Sequence, residues 1–112
     1  AVVSISFDVG LVVGVEEDLL PDKFALVGNY PNPFNGETAI LLDAPAAASV
    51  VVEVYDILGR RVQRIEREVS PGDARPIRLS ASHMASGVYV YRVSAKSSRQ
   101  EWKGSDRMVV VR

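Results

Sequence analysis

The sequence of 112 residues contains no cysteine, one histidine and one tryptophan. The absence of cysteine excludes disulfide frameworks, thiolate metal sites and cysteine nucleophiles. No segment holds about 20 consecutive apolar residues, the length that a membrane-spanning helix requires. The apolar residues 1–15 lack a basic n-region and a cleavage site, so they do not form a signal peptide. We therefore expect any export signal to lie upstream of this sequence.

Charge is unevenly distributed, although the net charge is only −1. Residues 1–43 hold seven acidic side chains and one basic one, whereas residues 44–112 hold seven acidic and twelve basic ones, ten of them arginine. One interpretation is a surface of mixed sign. The other is a basic face that meets an anionic glycan or phosphate, since arginine pairs well with both. The small net charge gives no reason to expect a nucleic-acid partner.

Short segments rich in β-branched and aromatic residues recur along the chain, and several alternate between apolar and polar side chains. This period of two predicts β-strands. Turn signals such as Asn35-Gly36 and Pro71-Gly72 separate the segments. The pattern predicts an all-β sandwich. Its predicted strands cover residues 2–9, 24–27, 38–42, 49–55, 60–69, 75–80, 88–95 and 108–111.

An acidic segment near the start divides the chain. Glu16, Glu17 and Asp18 are followed by Pro21-Asp22, which predicts a linker over 16–23 and a domain over 24–112. Residues 1–15 then form either the strand tail of a preceding domain or an added edge strand.

The pattern over residues 60–69 is mixed, because Leu58, Val62, Ile65 and Val69 have helical spacing. We predict a strand here, with a bulge between Val62 and Ile65 that shifts the alternation.

No constellation of residues predicts catalysis. His83 has serine neighbours but no acid nearby in sequence, whereas a triad needs a base oriented by an acid. Glu16, Glu17, Asp18 and Asp22 offer oxygen ligands for calcium but lack the spacing of a known loop. Glycosidase-like carboxylate pairs are equally unsupported, because the acids lie in the linker or alternate with arginine. We expect no enzyme activity, cofactor or metal.

Four aromatic side chains are candidates for stacking on a sugar ring: Trp102, Tyr55, Tyr89 and Tyr91. Tyr89 and Tyr91 share a strand face and are expected to pack within the sheet, since tyrosine buries its ring readily. Trp102 lies in a polar stretch and is the best candidate for an exposed contact, although packing is again the favoured interpretation.

Four segments, in order, resemble a known family. They are Asn29-Tyr-Pro-Asn-Pro-Phe-Asn35, Val54-Tyr-Asp-Ile-Leu-Gly-Arg-Arg-Val62, Ala85-Ser-Gly-Val-Tyr-Val-Tyr-Arg92 and Arg107-Met-Val-Val-Val-Arg112. Together they resemble the type A C-terminal sorting domain of the type IX secretion system, over about residues 24–112. The Ig-like domain of flagellar hook-capping proteins is similar at the first two segments.

This resemblance implies an Ig-like antiparallel sandwich of about seven strands at the C-terminus of a secreted cargo protein. It implies export through the periplasm to the surface of a Gram-negative bacterium, with outer-membrane secretion machinery and a sortase as partners. The domain itself has no catalytic role in that scheme. The alternative functions are a carbohydrate-binding or adhesion module and a structural hook-type domain, because a fold does not fix a function.

The motif residues divide into structural and recognition sets. Phe34 is expected to bury the corner of the sandwich and Gly59 to adopt a positive φ in its turn. The structural set is Asn29, Tyr30, Pro31, Asn32, Pro33, Phe34, Asn35 and Gly59. The final strand is expected at a sheet edge, where open backbone groups allow a receptor to add a strand. The recognition set is Gly87, Val88, Tyr89, Arg107, Met108, Val109, Val110, Val111 and Arg112.

Overall fold

The computed structural model describes residues 23–71 and 76–112. The predicted strand over 2–9 and all but the last residue of the predicted linker therefore lie outside the described residues. Within the described ranges, no helix is long and apolar enough to cross a membrane.

In the described part of the chain, seven strands form two antiparallel sheets, which confirms the predicted β-sandwich. One sheet has three strands in the order β1-β2-β5, and the other has four in the order β4-β3-β6-β7. The strands are β1 Ala25–Tyr30, β2 Glu37–Asp43, β3 Ala48–Tyr55, β4 Arg61–Val69, β5 Ile77–Ser80, β6 Gly87–Lys96 and β7 Glu101–Val110.

The core lies between the two sheets and is built from every second side chain of the central strands. Val50, Val52 and Val54 of β3 point inward, as do Tyr91 and Val93 of β6. Each large aliphatic side chain removed from water in this way contributes about 1.5–3 kcal/mol. The alternation that predicts these strands is thus the same alternation that fills the core.

Residues 61–69 form strand β4, as predicted, and the bulge lies slightly earlier than expected. Val54 pairs with Gln63 and Tyr55 pairs with Arg61, which leaves Val62 as the extra residue. The helical spacing of the apolar residues between 58 and 69 therefore does not reflect a helix. Leu58 is exposed in a turn, whereas Ile65 and Val69 are partly buried against the core.

Strand β7 begins at Glu101, seven residues earlier than the prediction at 108. In its first half, Gly104 and the exposed Asp106 stand at the positions that alternate in register with the buried Met108 and Val110, so the apolar alternation is interrupted there. Gly104 is required by its neighbour Trp102, whose ring stacks on Phe24 with centroids 6.0 Å apart. A Cβ atom on Gly104 would lie 2.6 Å from Cη2 of that ring, well inside van der Waals contact.

Strand β7 lies at the edge of its sheet, as expected, but the backbone groups of its C-terminal half are not open as predicted. Asn32 binds this edge twice, because its Nδ2 donates to the Arg107 carbonyl at 3.3 Å and its Oδ1 accepts from the Val109 N–H at 2.9 Å. The Phe34 N–H donates to the Val109 carbonyl at 3.0 Å, and the Val111 N–H donates to the Phe34 carbonyl at 2.8 Å. These backbone groups are therefore occupied, not open to another chain. The buried Phe34 ring anchors the bridging segment, as predicted.

A buried hydroxyl lies beside β7. Tyr91 pairs with Asp106 across β6 and β7, and its hydroxyl has no hydrogen-bond partner among the described residues. Burial raises the pKa of Tyr91 to about 12, and the negative charge of Asp106 adds to the effect.

Replacement of Gly104 by alanine should destabilise the domain by roughly 1–3 kcal/mol, the usual range for overpacking. The added methyl group would displace the Trp102 ring from Phe24, so chemical denaturation followed by tryptophan fluorescence measures both effects. Gly36→Ala is the matched control, since a Cβ there meets no atom within 4 Å. Equal denaturation midpoints for the two variants would contradict the predicted contact.

Replacement of Tyr91 by phenylalanine should leave stability near pH 7 unchanged or raised, because it removes an unsatisfied buried hydroxyl. The unfolded chain releases the tyrosine proton near the ordinary pKa of 10.0, whereas the folded chain holds it to about 12. The wild-type protein should therefore lose stability across this interval, and Tyr91→Phe should lose less. Urea titrations at increasing pH compare the free energies of unfolding of the two proteins. An equal loss of stability with pH in both would contradict the raised pKa of Tyr91.

Replacement of Asn32 by alanine should cost about 1–2 kcal/mol, since two hydrogen bonds to β7 are lost. Amide exchange at Val109 should accelerate, because its N–H then faces water. Asn35→Ala serves as the control, since the exposed Asn35 side chain makes no recorded hydrogen bond within the described ranges. Unchanged exchange at Val109 in Asn32→Ala would show that the edge is held closed by other contacts.

Candidate functional site

The four motif segments meet at one end of the sandwich. Tyr55 at the end of β3 pairs with Val90 of β6, and Val90 pairs in turn with Arg107 of β7. Asn32 and Phe34 attach the first segment to the same part of β7. We call this region the motif end and define it by residues 29–35, 54–62, 85–92 and 107–112.

The turn between β3 and β4 is closed by Asp56. Its Oδ1 accepts from the N–H groups of Arg60 and Leu58, at 3.0 and 2.9 Å, and its Oδ2 accepts from Nε of Arg60 at 2.8 Å. The hydrogen bond from the Arg60 backbone is the largest of the effects that lower the pKa of Asp56. Gly59 has a φ of 82°, the positive value predicted for it. The carboxylate thus holds this turn in a single shape.

The turn presents two large apolar side chains to solvent. Ile57 is 80% exposed and Leu58 is 72% exposed. Sequence reasoning treated this segment only as a turn, although an adjacent aliphatic pair inside a turn was an available signal. Val62, the bulge residue of β4, adds a third exposed aliphatic group beside the same hairpin.

Apolar and cationic groups alternate on the adjoining face of the four-stranded sheet. Val88 and Val90 are each 44% exposed. The Arg92 guanidinium lies 5.3 Å from the centre of the Tyr55 ring, within cation–π range. Nearby, a hydrogen bond from Arg61 is the largest effect that lowers the pKa of Glu53.

The structure separates the predicted recognition residues into two groups. Val88, Arg107 and Val111 are exposed, whereas Gly87 and Val109 are partly buried. The side chains of Tyr89, Met108 and Val110 belong to the core, and the Tyr89 hydroxyl donates to the Ala85 carbonyl at 2.7 Å.

Arg112, from the predicted recognition set, is exposed but also makes structural contacts. Its guanidinium donates to the carbonyl oxygens of Ala81 and Met84, and its N–H donates to Oγ of Ser86 at 2.8 Å. Both contacts hold the loop that precedes β6. A charge reversal at Arg112 would therefore remove structural hydrogen bonds.

The other candidates occupy unrelated positions. Trp102 is packed on Phe24 at the far end of β7, and His83 is exposed in the loop after β5. No group of three or more His, Asp or Glu side chains suited to a metal ion occurs in the described ranges. The calcium candidates Glu16, Glu17, Asp18 and Asp22 lie outside those ranges.

In the solved structures that share this fold, the matching region is a small part of a much longer chain. A crystal structure of dimeric latent PorU from Porphyromonas gingivalis matches with a TM-score of 0.66 and 23% identity, over 81% of this chain and 9% of that one. A β-glucuronidase from Parabacteroides merdae matches with a TM-score of 0.51 and 13% identity, over 79% of this chain and 13% of that one. Comparison with curated proteins found no match.

A family model described as "Secretion system C-terminal sorting domain" matches residues 29–104. This match includes three of the four motif segments and spans more than half of the chain. It confirms the resemblance, and with it the expected export through the periplasm to the cell surface or the medium. The protein therefore belongs to the family of C-terminal sorting domains that direct proteins into the type IX secretion system.

Proposed function

We propose that this domain is the sorting signal of a longer exported cargo protein, and that secretion machinery binds the motif end through side chains. The observation that carries the second part is the occupied edge of β7. Asn32 and Phe34 already bind the outward backbone groups at 107–111, so strand addition there would first require their release. The exposed side chains of Val88, Arg107 and Val111 remain accessible without any rearrangement.

Outer-membrane secretion components and a sortase are the proposed protein partners, with the N-terminal cargo as the passenger. We also propose that the domain itself is non-catalytic. An anionic glycan is a weaker candidate partner, because several arginines are already paired. Arg61 contacts Glu53, Arg64 contacts Glu66 and Arg78 contacts Glu37.

Carbohydrate binding, the alternative function, was suggested by four aromatic residues, and these residues are packed against other parts of the domain. Trp102 stacks on Phe24, while Tyr89 and Tyr91 are buried. Tyr55 is covered on one face by Arg92. Each of the four rings is therefore buried or already covered on one face, and no contact of these residues favours a sugar-binding role.

The sorting role predicts surface delivery of a periplasm-exported fluorescent reporter that carries residues 1–112 at its C-terminus. Arg107→Glu should cut delivery several-fold, because it reverses an exposed charge at the motif end with little effect on folding. Arg99→Glu makes the same change in the turn at the opposite end and should be delivered normally. Fluorescence at the surface and in the periplasm gives the ratio, and thermal melts of the purified domains check stability.

Deletion of residues 107–112 would not separate recognition from stability, because it removes Met108 and Val110 from the core. Failure of the intact fusion to leave the periplasm would refute the sorting role for this domain. Equal delivery of Arg107→Glu and the intact fusion would instead refute recognition through this side chain.

A further inference from the structure

Exposed apolar side chains are concentrated at the motif end. In the described part of the chain, Val27 is the one strongly exposed large apolar residue that lies elsewhere. Single exposed aliphatic groups are common on soluble domains, but a cluster at one end marks an interaction surface. The members at the motif end are Tyr30, Ile57, Leu58, Val62, Val88, Val90 and Val111.

The centre of this cluster is rigid. Ile57 and Leu58 stand on the turn that Asp56 closes with three hydrogen bonds, and the ladder from Tyr55 to Val90 continues the surface onto the sheet. This turn holds the backbone that carries both side chains, and it leaves them 80% and 72% exposed. It presents them in the geometry in which a partner would bind them, so little conformational entropy is lost on binding.

The charges around this cluster are predominantly positive. Arg60 and Arg61 are balanced by Asp56 and Glu53, which they contact at 2.8 and 3.1 Å. Arg92 lies over Tyr55 and stands opposite Glu53, whose pKa it helps Arg61 to lower, so one carboxylate faces two guanidinium groups. Arg107 is exposed and forms no ion pair within residues 23–71 and 76–112. The surface therefore combines an apolar centre with two cations at its rim.

We propose that Ile57 and Leu58, with Tyr55, Val62, Val88 and Val90 around them, form the docking surface for a protein partner that offers an apolar pocket edged by carboxylates. This rests on the sorting function, and it names the surface by which the domain is bound. The hairpin tip enters the pocket, while Arg92 and Arg107 pair with the carboxylates. Buried apolar anchors with a charged rim are the usual arrangement of binding hot spots.

Two other occupants fit less well. A second copy of the domain, related by a two-fold axis, would place the same arginines close to one another. An anionic membrane would gain attraction only from Arg107 and the partly balanced Arg92, fewer than the roughly four to eight clustered basic residues by which proteins bind such membranes. A protein that supplies both the pocket and the opposing charge matches both features.

The test uses the same fusion of residues 1–112 to the exported reporter. Ile57→Ser/Leu58→Ser should reduce surface delivery about tenfold or more, because the anchors are lost. Val27→Ser is the control, since Val27 is also an aliphatic residue and is 60% exposed, but it lies away from the motif end. Both variants should keep the wild-type melting temperature, because neither site is in the core.

A competition measurement identifies binding directly. Free wild-type domain, overproduced in the periplasm, should inhibit delivery of the wild-type fusion by occupying the partner. Free Val27→Ser domain should inhibit equally, and free Ile57→Ser/Leu58→Ser domain should not. Inhibition by the double variant, or its normal delivery as a fusion, would overturn the proposed surface while the sorting function stands. Failure of the wild-type fusion to be delivered would count against the sorting function instead.

Two further measurements address the other occupants. Sedimentation velocity of the purified domain should show a monomer, and a dimer abolished by the double variant would overturn the proposal in favour of self-association. Flotation with vesicles of anionic phospholipid at about 0.15 M salt should leave the domain unbound. Vesicle binding that the double variant abolishes would favour a membrane over a protein pocket.

Discussion

The bridge from Asn32 and Phe34 to β7 is the contact on which the arrangement of this domain depends. Four hydrogen bonds join the segment after β1 to the outer edge of the other sheet. The Phe34 ring is inserted between the sheets at the same point, next to the bridge to Val110. The strands of the two sheets are not hydrogen-bonded to one another. This bridge therefore ties the sheets at one corner, and it occupies the part of the β7 edge at 107–111 that would otherwise accept another strand.

In the proposed mode of recognition, stability and binding share the final strand but use different atoms of it. The backbone of 107–111 and the side chains of Met108 and Val110 hold the fold together, whereas Arg107 and Val111 face solvent. Truncation of this strand removes both contributions at once. Single exposed substitutions separate them, since surface changes away from special contacts alter folding by only a few tenths of a kcal/mol.

Sequence alone predicted the strands whose inward positions are all apolar, such as β3 and β6, because their alternation is local. It missed the first half of β7, where Gly104 and the exposed Asp106 interrupt the apolar alternation, and where Gly104 leaves room for the Trp102 ring. It placed the final strand at an edge correctly, yet it did not foresee that Asn32 occupies that edge from 77 residues away. Long-range contacts of single side chains leave no periodic signal.

The proposed docking surface has both local and long-range causes. The Asp56-to-Gly59 turn is local, since its hydrogen bonds lie within five residues and could be expected from the sequence. The exposure of Ile57 and Leu58 follows from the position of this turn beyond the last core layer, where β3 pairs with Val90. A sorting domain must be recognised on any cargo, so its binding residues have to be held by the domain itself. A turn fixed by its own carboxylate, on the end where all four motif segments meet, satisfies that requirement without help from the passenger.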